Sequence, residues 1–167
     1  MRYAGIIRND LSAAPGVCLT VFVQGCPNHC PGCHNQETWD FNGGYEFTEE
    51  TMKSIIKDLT ANGVKRDLCI MGGEPLCEAN KPLTSWIIHD VKAVYPDIKV
   101  YVWTGFKYED IDQSCLNDVD FLIDGRFEQD KRDVRLFMRG SSNQRILDLT
   151  DWKHPHISTD LMKGSEE

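Results

Sequence analysis

Apolar and polar positions along this chain fall into blocks that switch between the period of a strand and the period of a helix. The first apolar block, Val17-Cys18-Leu19-Thr20-Val21-Phe22-Val23, is rich in β-branched residues and apolar on both faces. That predicts a strand covered on both sides. It runs straight into Gln24-Gly25-Cys26. A helical period follows. Met52, Ile55, Ile56 and Leu59 fall at i, i+3, i+4 and i+7, with Thr48 ahead of them as a cap. Glu49 and Glu50 sit where the helix dipole favours negative charge, and Asn62-Gly63 marks the stop. Leu68-Cys69-Ile70-Met71 predicts a second strand, ending in Gly72-Gly73-Glu74-Pro75. A second helix is expected over Thr84 to Tyr95, with Trp86, Ile87, Val91 and Val94 as its core face and Pro96 closing it. Ile98 to Trp103 predicts a third strand ending at Thr104-Gly105, and Tyr108 to Leu116 a short helix. Val119 to Ile123 predicts a fourth strand, ending at Asp124-Gly125-Arg126.

Strands and helices therefore alternate. This order predicts an α/β fold with a mostly parallel sheet and right-handed crossovers. Each expected strand ends in a glycine-containing turn with polar residues. Ligands of such sheets bind beyond the carboxyl ends of the strands, so these turns are expected to converge on one site. Farther on, Val134–Met138 and Arg145–Leu149 read as two strands joined by a turn. The tail, 151–167, reads as irregular, with Gly164 to Glu167 frayed.

The chain has 167 residues, which predicts a single domain with a core over about 1–150. It is too short for a complete eight-fold β/α barrel, which usually needs about 200 residues. With 18 basic and 26 acidic residues its formal charge is -8, a poor balance for coating a nucleic-acid backbone. One stretch departs from this average. Arg126 to Arg145 holds six basic and three acidic residues. The basic excess suits an acidic docking partner, and a solvated face would look the same. No window is apolar enough to span a membrane, and Met1 to Asp10 lacks the apolar core of a secretory signal. Cytoplasm is the expected location.

The chain has seven cysteines, an odd count that cannot pair completely within itself. Cys18, Cys69 and Cys115 sit in apolar elements and read as buried free thiols; Cys77 follows the Gly-Gly-Glu-Pro turn and reads as a bystander. Cys26, Cys30 and Cys33 are different. Their C-x3-C-x2-C spacing gathers soft ligands on one loop. Three thiolates can hold three irons of a [4Fe–4S] cluster and leave one iron open for a substrate. The other reading is structural zinc, with His29 or His34 as the fourth ligand. Gly72 and Gly73 suit a close backbone approach to a ligand. Glu74 supplies a negative group there or orients the turn.

The cysteine spacing after one strand, joined to Gly72-Gly73-Glu74-Pro75 after the next, resembles the radical S-adenosylmethionine enzymes. Tyr3–Asp10, Gly16–Gln24, Cys26–Asn35, Asp124–Phe127 and Arg139–Arg145 are similar to one branch of them. That branch is the activating proteins of anaerobic (class III) ribonucleoside-triphosphate reductases. The resemblance implies a partial, incomplete β/α barrel. It implies a [4Fe–4S] cluster on Cys26, Cys30 and Cys33, whose open iron takes the amino and carboxylate groups of S-adenosylmethionine. Reductive cleavage would give methionine and a 5′-deoxyadenosyl radical, which takes a hydrogen from a glycine Cα of the reductase large subunit. Thr104, Asp124 and Arg126 would help hold the ribose and methionine moieties. The position before the third cysteine, often aromatic in the superfamily, is Gly32. Adenine would then lie against Gly32, Cys33 and His34. Flavodoxin or ferredoxin are the typical electron donors. The alternatives are an activase of another glycyl-radical enzyme and a non-catalytic zinc-binding interaction module.

Overall fold

The expected strands form the centre of one mixed sheet in the computed structural model, which describes residues 1–163. β1 spans Arg2–Asp10, β2 Cys18–Val23 and β3 Tyr45–Glu46. β4 spans Asp67–Gly72, β5 Val100–Trp103 and β6 Phe121–Asp124. β7 covers Arg145–Asp148 and β8 His156–Ile157. The sheet order is β3-β1-β2-β4-β5-β6-β7-β8. β2, β4, β5 and β6 are parallel neighbours, as the alternation predicts. The flanks correct the expectation of a mostly parallel sheet. β1 and β3 on one side, and β7 and β8 on the other, are joined antiparallel.

Helix α1, Glu49–Asp58, starts as its sequence dictates. Thr51 N–H donates to Thr48 Oγ1 at 3.2 Å, and Thr48 N–H donates to Thr51 Oγ1 at 3.3 Å. This reciprocal box satisfies two of the orphan donors of the first turn. Helix α2, Lys81–Val94, begins three residues earlier than expected, because Pro82 is tolerated in a first turn. Its buried face is Leu83, Thr84, Ile87, Ile88 and Val91, whereas Val94 is exposed.

Period-two alternation divides the side chains between the two faces of the sheet. Leu19, Val21, Leu68, Ile70, Val100, Val102 and Leu122 pack with the buried stripes of α1 and α2. Cys18, Cys69, Tyr101, Phe121, Ile123 and Ile146 point to the other face. There they meet Ala13, Ala14 and Met138, with Met71, Trp103 and the short helix α3, Thr159–Lys163, alongside. Cys18 and Cys69 are buried, as read from their apolar elements, and Cys115 is half-buried.

Three further expectations are corrected. The Tyr108–Leu116 helix is two 3-10 turns, Tyr108–Asp110 and Gln113–Leu116, separated by the extended backbone of Ile111. Val134–Met138 is not a strand: Asp133 Oδ1 accepts from Arg135 N–H at 2.9 Å in a local turn, and Met138 has a positive φ of 59°. The tail is more regular than expected, since β8 and α3 lie within it. The expectation of fraying at Gly164–Glu167 falls outside the described residues. No helix of the described residues is long and apolar enough to cross a membrane.

Ile70 lies at the centre of the helix-covered core and is fully buried on β4. Ile70→Ala is expected to cost about 2–5 kcal/mol of stability in denaturant unfolding. A loss under about 1 kcal/mol would contradict the packing described.

Candidate iron–sulfur and ligand site

The site begins where β2 and β4 end side by side. Val23 pairs with Gly72 across the parallel ladder. The next residues stay paired: Gly73 N–H donates to Val23 O and Glu74 N–H to Gly25 O, both at 2.9 Å. This proximity explains the two glycines. A Cβ on Gly73 would stand 2.3 Å from Gly25 O, and Gly72 has a φ of +106° with Phe22 Cα 2.9 Å from the Cβ position. The cysteine loop leaves from Gly25 and returns beside it, with Gly25 N–H donating to Thr38 O at 2.7 Å and Cys26 N–H to Trp39 O at 3.2 Å. Asn80 Nδ2 ties the two turns together, donating to Gly25 O at 2.9 Å and Glu74 O at 3.0 Å.

Glu74 is buried, 1% exposed. Its Oε1 accepts from Thr104 Oγ1 at 2.6 Å and from Leu76 N–H at 3.1 Å. Its Oε2 accepts from Gly105 N–H at 2.7 Å and Asn28 Nδ2 at 3.0 Å. Burial pushes this carboxyl pKa above the ordinary range, and the four donors oppose it. Glu74 therefore orients its turn, the second of the two roles that its sequence allowed. It fastens the end of β5 and the cysteine loop to the end of β4.

Cys26, Cys30, Cys33, Gly72, Gly73, Glu74 and Thr104 line one cavity of about 160 Å³. Met71 and Trp103 form part of its wall. Among the described residues, no three His, Cys, Asp or Glu side chains are arranged to hold a single metal ion. The three thiols stand around the cavity instead. Two of their sulfurs already accept hydrogen bonds: Cys33 Sγ from Asn35 N–H and Cys30 Sγ from Arg126 Nε, each at 3.4 Å. Burial pushes the Cys26 thiol up, against backbone N–H donors from Asn28 and His29.

The other expected site residues lie at or beyond the cavity margin. Arg126 donates to Asn28 O as well as to Cys30, so it braces the cysteine loop. Asp124 does not line the cavity. Period two puts it on the same side of β6 as Leu122, and its carboxylate accepts from Arg145 and from Tyr108 N–H at 2.8 Å. Gly32 turns with a φ of +74°, and exposed His34 lies 6.4 Å from the Phe127 ring, centroid to centroid. Asn28, Trp39, Phe127 and Gln144 also line the cavity and were not singled out from the sequence. Asn28 is 46 residues from its partner Glu74, a contact that no local pattern announces.

Part of the basic stretch turns inward. Arg145 pairs with Asp124 and with Glu109, whose carboxyl it holds down to about 2. Arg139 donates to Gln144 O at 3.2 Å and Met162 O at 3.0 Å. Gln144 Nε2 in turn holds Gly125 O at 2.9 Å. Lys131 and Arg135 pair with Glu128 and Asp133. Arg139 and Arg145 brace the β6–β7 turn, whereas Arg126, Lys131, Arg132 and Arg135 are exposed, so much of the basic stretch stays on the surface.

A family model described as a 4Fe-4S single cluster domain matches residues 13–147. The chain is 38% identical over 150 residues to the anaerobic ribonucleoside-triphosphate reductase-activating protein of Escherichia coli strain K12, covering 87% of this chain and 97% of that one. The protein of the same name from Enterobacteria phage T4 is 38% identical over 157 residues, covering 92% of this chain and 99% of that one. The chain belongs to this family of activating proteins. Membership decides between iron–sulfur and zinc in favour of a 4Fe-4S domain. The donor set fits that family: three soft thiols around one cavity, with a guanidinium and a backbone N–H on two of the sulfurs.

Glu74→Ala would leave four donors without their acceptor. The expected loss of stability is on the order of 3 kcal/mol by denaturant unfolding. A loss below about 1 kcal/mol would show that the three turns hold their places without it.

Proposed function

We propose that this chain is a radical S-adenosylmethionine activase that installs the glycyl radical on an anaerobic ribonucleoside-triphosphate reductase. The observation that supports it best is the meeting of Cys26, Cys30 and Cys33 with the Gly72-Gly73-Glu74 turn on one cavity, in a chain of the activating-protein family. In this reading the three thiolates hold a [4Fe–4S] cluster. When bound, the cluster supplies one electron to S-adenosylmethionine, whose C5′–S bond breaks to give methionine and a 5′-deoxyadenosyl radical that takes a hydrogen atom from a glycine Cα.

The chain's own residues position these reactants. Gly72 and Gly73 let the backbone approach the methionine end. Glu74 and Thr104 set the height of that backbone, since the hydroxyl and carboxylate are engaged with each other. Arg126 keeps the cysteine loop folded and places a cationic donor beside Cys30. Asp124 acts through its turn: gripped by Arg145, it holds Gly125 at the cavity wall. Gly32, Cys33 and His34 receive the adenine.

The fold in this reading is an open, partial β/α barrel in a single domain. Opening suits the task, because the glycine to be oxidised belongs to another large protein. The partners are the reductase large subunit and a cytoplasmic electron donor such as flavodoxin or ferredoxin.

Two measurements under reducing, oxygen-free conditions test the reading. The reconstituted protein is expected to cleave S-adenosylmethionine to 5′-deoxyadenosine, and Cys30→Ala to lose this activity at least a hundredfold. Electron paramagnetic resonance is expected to detect a glycyl radical on class III reductase incubated with the activase. Cleavage without a glycyl radical would redirect the assignment to another glycyl-radical enzyme. A colourless protein with stoichiometric zinc would overturn the reading altogether.

A further inference from the structure

Trp39 closes the cysteine loop, and three observations surround it. Its carbonyl accepts from Cys26 N–H at 3.2 Å, which fixes its backbone beside the first cysteine. Its ring stacks on His29, inside the loop, with centroids 4.7 Å apart and planes 24° from parallel. Trp39 lines the same cavity as Cys26, Cys30 and Cys33. The fourth observation is polar. Trp39 Nε1 is buried and donates to no atom of the described residues.

A buried N–H without an acceptor costs on the order of 1–3 kcal/mol, so native chains rarely keep one. The indole has no acceptor of its own and can only donate. Trp103, the other tryptophan on this cavity, shows the contrast: its Nε1 donates to Met138 O at 2.7 Å. Trp39 also differs from the remaining orphaned atoms. Arg139 Nε and Asn143 Oδ1 belong to the β6–β7 turn and not to this cavity. The orphan donor thus belongs to a residue of the cavity where sulfur acceptors are expected to gather.

We propose that Trp39 Nε1–H donates a hydrogen bond to a sulfur of the iron–sulfur cluster and raises its reduction potential. The inference rests on the proposed cluster on Cys26, Cys30 and Cys33. Adding an electron to a cluster increases the negative charge on its sulfurs. A donor then binds the reduced form more tightly than the oxidised one, which shifts the couple toward reduction. His29 supports the effect by fixing the plane of the indole. Trp39 is in this sense a positioning and tuning residue, acting on the electron-accepting step before any substrate bond is broken.

The test uses reconstituted full-length protein without S-adenosylmethionine. Trp39→Phe keeps the ring and its stacking but removes the N–H. Iron and sulfide content is expected to match the parent. In a redox titration followed by electron paramagnetic resonance, the ratio of reduced to oxidised cluster at a fixed ambient potential is expected to fall about tenfold, a shift of about 59 mV for a one-electron couple. A second measurement reads the hydrogen bond in the parent chain directly. With indole-15N tryptophan in the parent chain, pulsed spectroscopy of the reduced cluster is expected to show a coupled 15N and an exchangeable proton, and Trp39→Phe to lose both. An unchanged potential in an intact cluster overturns the proposal. So does a 15N coupling that appears only after S-adenosylmethionine is added, which would give the donor to that ligand. Failure to bind iron and sulfide in the parent would overturn the underlying cluster reading instead.

Discussion

One buried carboxylate sets the geometry of this site. Glu74 lies at the end of β4, and its two oxygens take donors from the cysteine loop, from its own turn and from the end of β5. A charge so deeply buried is tolerable only if its hydrogen-bonding capacity is filled. Here that requirement acts as a construction rule. Thr104, Gly105, Leu76 and Asn28 must occupy set positions, and those positions fix where three chain segments meet. Asn80 adds a neutral brace between Gly25 O and Glu74 O.

A second set of contacts fixes the opposite wall. Arg145 holds Asp124, Gln144 holds Gly125, and Arg126 reaches across to Asn28 and Cys30. Asn28 belongs to both sets, since its amide serves Glu74 and its carbonyl serves Arg126. The cysteine loop is thus pinned from both sides by the chain's own hydrogen bonds. Arg126, Arg139 and Arg145 of the basic stretch serve this bracing, while Lys131, Arg132 and Arg135 remain exposed.

The parallel centre of the sheet was legible because both of its faces are covered, which leaves unbroken apolar runs such as Leu68–Met71. β1 was not. Its residues are half-exposed and end in Arg8-Asn9-Asp10, so its strand character depends on pairing with β2 rather than on burial. Val134–Met138 misled in the other direction, with Val134 82% exposed although Leu136, Phe137 and Met138 follow it. At the site, spacing found the cysteines and the glycine turn, whose chemistry is local. Resemblance placed Asp124 on the ligand, and strand alternation turns that side chain toward Tyr108 and Arg145. Spacing gave no hint of Asn28 or Trp39, whose importance arises only from what the fold brings beside them.

In the proposed function three cysteines hold a four-iron cluster and leave one iron open at the strand ends. Mössbauer spectroscopy of 57Fe-reconstituted protein, with and without S-adenosylmethionine, addresses it most directly. The account predicts one iron in four whose isomer shift and quadrupole splitting change when S-adenosylmethionine is added, and three that do not. Four irons indifferent to the addition would contradict it.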